Sequence, residues 1–151
     1  MKIKVKNHNK QYSLKQHGEW VDLATSQRII MQPNSFWLIP LGIAMQLPKH
    51  YEAVMVPRSS TFKKWGIIQT NHMGVIDSDY NGNEDMWRMP AYCFSYQVDI
   101  PKNTRLAQFR IQPSFNAPWY VKMLHIFRKY KFVEVDDLGN KNRGGFGTTG
   151  N

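Results

Sequence analysis

Lys2-Ile3-Lys4-Val5-Lys6 alternates charged and β-branched side chains at every step. Successive side chains of a strand point to opposite faces, so this period of two predicts a strand that buries Ile3 and Val5 on one side. Working outward, further candidate strands lie near residues 36–45, 52–57, 65–70, 86–98, 105–112 and 131–135. Pro, Gly, Asn and Asp separate them at short intervals. Many short strands so spaced predict an all-β sandwich or barrel. The best local turn signal is Asn81-Gly82, because both central residues of a type I′ turn need positive φ, and it predicts a hairpin joining two strands around residue 80. Residues 119–130, WYVKMLHIFRKY, suit a short helix or a strand, and periodicity does not choose between them. The stretch 139–151 carries five glycines and one large apolar side chain, Phe146, too little to bury surface alone. It is expected to be a flexible tail on a domain spanning 1–138.

The chain has 151 residues, enough for one domain with a real core and too few for two. A hydrophobic share of 42% against 21% charged residues excludes the disordered class. The net charge of +9, from 20 Lys and Arg against 11 Asp and Glu, suits a polyanionic partner, either nucleic acid or a nucleoside triphosphate. Cys93 is the single cysteine, so no internal disulfide exists, and the thiol is expected simply to pack. The most apolar run, 36–45, is broken by Pro40 and too short to cross a bilayer, and the N-terminus has no apolar signal core. The expectation is a soluble, cytoplasmic protein with no membrane partner.

Three segments can carry chemistry. In Gly74-Val75-Ile76-Asp77-Ser78-Asp79-Tyr80-Asn81-Gly82, Asp77 stands at the end of a β-branched run, where a strand can hold it as a general base toward water. Pro57-Arg58-Ser59-Ser60 puts a guanidinium and two hydroxyls in a tight non-helical stretch suited to phosphate oxygens. Arg143-Gly144-Gly145-Phe146-Gly147-Thr148-Thr149-Gly150 adds another Arg, two hydroxyls, a backbone open to close approach, and a ring to stack on a base. It is no Walker loop, because GxxxxGK[ST] is absent.

Together with Asn103-Thr104-Arg105-Leu106-Ala107-Gln108 and Trp20-Val21-Asp22-Leu23, these segments resemble, in order, the five motifs of the trimeric dUTPases, over roughly residues 18–150. The resemblance implies a jelly-roll-like β fold, a homotrimer with sites shared between subunits, and hydrolysis of dUTP to dUMP and pyrophosphate. Asp77 would orient the attacking water. Asn71, with the backbone around Gly74 and Ile76, would read uracil, and Tyr80 would pack under the deoxyribose. Arg58, Ser59, Ser60 and Gln108 would bind phosphates, with Arg105 supporting the loop. Arg143, Gly147, Thr148 and Thr149 would hold the γ-phosphate while Phe146 covers the base. Mg²⁺ would be held by the substrate phosphates and water, with no protein metal ligand.

Three positions depart from the family pattern: Glu19-Trp20 replaces Ala-Gly, Ser60 replaces a glycine, and only two glycines separate Arg143 from Phe146. If that short spacing displaces Phe146, Trp87 is the alternative lid. Rival readings are a dCTP deaminase-like enzyme and a dUTPase scaffold that recruits a regulatory protein. A nucleic-acid path is not expected, since no basic run with interleaved aromatics stands out.

Overall fold

The computed structural model describes residues 1–94 and 96–146. Its strands are β1 (Lys2–Asn7), β2 (Lys15–His17), β3 (Trp20–Ala24), β4 (Ile29–Met31), β5 (Ser35–Pro40), β6 (Ile43–Gln46), β7 (Tyr51–Pro57), β8 (Ile67–Gln69), β9 (Gly74–Asp77), β10 (Arg88–Cys93), β11 (Val98–Ile100), β12 (Arg105–Pro113) and β13 (Lys131–Glu134). Two short helices, α1 (Thr61–Trp65) and α2 (Trp119–His125), interrupt them. As the alternation in β1 requires, Ile3 and Val5 are buried while Lys2 and Lys4 are exposed.

Four sheets result, ordered β2-β3-β12-β7-β9, β13-β1-β6, β5-β10-β8 and β11-β4. All pairings are antiparallel except β1 with β13. One core joins the sheets: Ile3 of β1, Leu23 of β3, Met31 of β4, Met89 of β10 and Phe109 of β12 are all fully buried within it. Each such side chain contributes on the order of 1.5–3 kcal/mol of transfer free energy. This is the jelly-roll-like all-β fold expected from the sequence. Cys93 is buried in that core and donates to the Tyr96 carbonyl.

Several local expectations need correction. Asn81-Gly82 does not make a two-strand hairpin: β9 pairs with β7, whereas β10 pairs with β5 and β8, so residues 78–87 cross between sheets. Neither Asn81 nor Gly82 has positive φ. The run 36–45 divides into β5 and β6 at Gly42, whose φ is +69°, and a Cβ there would stand 2.8 Å from that of Ser26. The run 65–70 keeps only β8, because Trp65 closes α1 and Gly66 caps it in the left-handed region. The run 86–98 is β10, a loop and the start of β11. The undecided segment is helical at α2, where Val121 is the buried residue. Phe115, Trp119, Ile126 and Phe127 around it are strongly exposed. No helix among the described residues is long and apolar enough to cross a membrane.

Candidate active site

β9 is the outer strand of the five-stranded sheet, in register with β7 so that Asp77 faces Glu52 and Gly74 faces Met55. β7 is locked in turn to β12 along seven paired positions. The end of β9 is therefore held by the best-paired part of the sheet. Beside it opens a cleft of about 220 Å³. Asn71, Gly74, Ile76, Asp77 and Tyr80 line it, together with Arg143 and Phe146 from the far end of the chain.

The polar side chains there are held by named partners. The Asn71 Oδ1 accepts from Gln69 Nε2 at 2.9 Å, and the same nitrogen donates to the Met55 carbonyl at 3.2 Å. Gln69 is buried, and its Oε1 has no partner among the described residues. Sequence reasoning missed this residue; its signal was a glutamine closing the apolar run Ile67-Ile68 two positions before Asn71. Tyr80 donates to the Met86 carbonyl at 3.2 Å. Burial pushes its phenol pKa up, and the nearby Asp85 adds to the rise, so the Tyr80 ring meets the cleft uncharged. The Arg143 guanidinium donates to Asp79 at 2.8 Å and to Asp77 at 3.3 Å. The short spacing of the last motif thus still brings both Arg143 and Phe146 to the cleft. Trp87 also borders the cleft, but from within the core: it is 1% exposed, edge-on to Phe109 with centroids 5.0 Å apart.

A second cluster gathers the remaining motifs. Asp22 of β3, with its side chain 4% exposed, accepts from Arg58 Nε at 2.9 Å and from Arg105 Nη1 at 2.8 Å. Gln108 lies opposite Asp22 in register. A β-bulge between Arg105 and Ala107 adds Leu106 to β12. The Leu106 carbonyl accepts both the Arg58 amide at 2.9 Å and the Thr61 hydroxyl at 2.6 Å. Asp22 therefore orients Arg58, a role the sequence left open, and Arg105 supports from the other side. Ser60 precedes α1 with φ −89° and ψ −5°, a conformation open to any residue, so replacing the family's glycine costs no backbone strain here.

Within one chain these clusters remain apart. Arg58 and Ser59 line a separate hollow with Phe62, Ile68 and His72, and neither Ser60 nor Gln108 borders the Asp77 cleft. Gly147, Thr148 and Thr149 lie outside the described residues.

The dUTPase family model matches residues 20–149. The chain belongs to the dUTPase family. Among its relatives, the SPbeta prophage-derived deoxyuridine 5'-triphosphate nucleotidohydrolase YosS of Bacillus subtilis (strain 168) is 44% identical over 135 residues, covering 89% of this chain and 86% of the relative. A deoxyuridine 5'-triphosphate nucleotidohydrolase of Neisseria meningitidis serogroup A is 32% identical over 127 residues, 82% of this chain and 75% of the relative. Among solved structures, the dUTPase from Streptococcus mutans superposes with a TM-score of 0.67 at 21% identity, covering 76% of this chain and 98% of that one. At that identity the match speaks for the dUTPase fold alone.

Proposed function

We propose that the chain hydrolyses dUTP to dUMP and pyrophosphate, with Asp77 orienting the water that attacks the α-phosphorus in line. The observation that carries this reading is the single cleft where Asp77 meets Asn71, Tyr80, Arg143 and Phe146, five side chains from two segments of a dUTPase-family chain that lie more than sixty residues apart. Asn71 and the backbone at Gly74 and Ile76 receive the uracil edge. Tyr80 lies against the deoxyribose, where a 2′-hydroxyl would collide with its ring. Phe146 covers the base and excludes water. Arg143, which ion-pairs with Asp77 and Asp79 beside the cleft, would bind the γ-phosphate, joined by Thr148 and Thr149 beside the Gly147 backbone.

Arg58, Ser59, Ser60 and Gln108 complete the phosphate contacts. Since one chain keeps them away from its own cleft, the reading includes a homotrimer in which a neighbour supplies them. Mg²⁺ bound to the phosphates and water would neutralise charge on the triphosphate. The side chains beside the cleft fit an ion carried by the substrate, because the carboxylates of Asp77 and Asp79 are already paired with Arg143. Action in the cytoplasm, without nucleic acid, belongs to the same proposal. A regulatory protein partner is compatible with it, through the exposed apolar side chains around α2.

Purified protein incubated with each deoxynucleoside triphosphate and Mg²⁺ should release pyrophosphate from dUTP alone, and a chelator should abolish it. Ammonia from dCTP at a comparable rate would instead establish the deaminase reading. Its carboxylate is hard to find here: Glu84 is exposed, and Asp85 is buried against backbone amides outside the cleft.

A further inference from the structure

Asp85 is 1% exposed and does not line the cleft. A buried carboxylate is costly unless its oxygens are filled by donors, and here backbone amides fill them. Oδ2 accepts from Gly82 N at 2.8 Å and Arg143 N at 2.9 Å, while Oδ1 accepts from Gly144 N at 2.8 Å and Arg143 N at 3.1 Å. Burial by itself would raise this carboxyl, but the amides of Arg143, Gly144, Gly82 and Asn81 outweigh it and hold the pKa below the ordinary value. The group is thus an anion at neutral pH, spent entirely on the main chain.

The surroundings extend the same contact. Asn142 Oδ1 accepts from Glu84 N at 2.9 Å, and Asn83 Oδ1 accepts from Leu138 N at 3.0 Å. Gly82 admits the close passage: a Cβ there would stand 2.5 Å from the Asn142 Cα. Just beyond, Gly145 passes close to the Tyr80 ring, where its own Cβ would come within 3.2 Å of Cε2.

We propose that Asp85 is a positioning residue that clamps the C-terminal segment of its own chain and thereby sets Arg143 and Phe146 at the mouth of the cleft. Its carboxylate joins the crossing loop to residues 143–144 through amides, so it dictates where the tail's backbone runs. Arg143 then projects over Asp77 and Asp79. Ordering this segment before substrate arrives removes an entropy cost that binding must otherwise meet. The kinetic consequence rests on the dUTP reading above; the clamp itself does not.

The test uses the full-length chain and two variants. In the wild type without nucleotide, the peptide containing residues 143 and 144 should exchange its amide hydrogens slowly. Asp85→Asn removes the charge at constant shape, and Gly82→Ala places a methyl in the path of Asn142. Both should speed that exchange about tenfold or more, matching the loss of charge-assisted hydrogen bonds. In both, KM for dUTP should rise by a similar factor with kcat kept within about twofold, since Arg143, Phe146 and Asp77 are unchanged. A merely structural Asp85 would lower kcat and melting temperature together and leave KM alone. Exchange at 143–144 as slow as wild type in either folded variant, or an unchanged KM, overturns the proposal. A wild type that releases no pyrophosphate from dUTP would sink the functional reading, while amide exchange would still report on the clamp.

Discussion

Replacing Asp22 with alanine tests how the phosphate cluster is built. Its carboxylate, 4% exposed, faces Arg58 at 2.9 Å and Arg105 at 2.8 Å, one oxygen to each. Hydrogen bonds to charged groups contribute roughly 1.5–3 kcal/mol each. The two guanidinium side chains are 28% and 40% exposed, so both can partly rehydrate when the anion is lost. The lower bound then applies to each, giving a loss of about 3 kcal/mol. For a chain of this length, 1 kcal/mol moves the melting temperature by roughly 2–4 °C, so the expected fall is about 6–12 °C. Differential scanning calorimetry of the purified variant measures it. Raising salt should not reproduce the loss in the wild type, because a buried pair is screened weakly. Arg58 would also lose its fixed direction, so kcat/KM for dUTP should drop in the same protein at temperatures where it remains folded. A fall of less than about 3 °C, or a wild-type melting temperature that declines equally in high salt, would refute the bracket as a stabilising element.

Asp77→Asn should melt like the wild type, since the side chain is exposed on an outer strand, but lose about 10²–10⁴-fold in kcat; single-turnover assays with dUTP decide it, and near-normal turnover removes Asp77 from the mechanism. Tyr80→Ala should raise the ratio of UTP to dUTP hydrolysis, because the wall against a 2′-hydroxyl is gone while Asn71 stays; an unchanged ratio places sugar discrimination elsewhere. Asp85 also predicts a pH dependence. Its folded pKa lies below the ordinary 3.8, so its stabilisation is fully present above that value and is lost as pH falls through the depressed one. Melting temperatures measured from pH 6 down to pH 3 should therefore fall more steeply for the wild type than for Asp85→Asn, and parallel curves would contradict the assignment.

Local sequence carried the all-β character and several elements, because side-chain period reports directly which face of a strand is buried. The alternation of 2–6 became β1, and the runs 52–57, 105–112 and 131–135 became β7, β12 and β13 with ends shifted by a residue or so. The short motifs carried the family, and with it the candidate residues. What a period cannot report is the partner, since pairing depends on contacts distant in sequence. So Asn81-Gly82 read as a hairpin, while in the fold β9 turns to β7 and the loop receives Asn142 across Gly82. Asp85 and Gln69 looked like ordinary polar residues. Their importance comes from burial: Asp85 is surrounded by amides from 58 and 59 positions later in the chain, and Gln69 orients Asn71 from beneath. Asp22 likewise became a bracket only when β3, β7 and β12 came into register. The sequence alone determined which chemical groups are present and on which strand faces several of them lie; tertiary structure alone decided which meet, because low-dielectric burial and long-range pairing exist only after the chain has closed on itself.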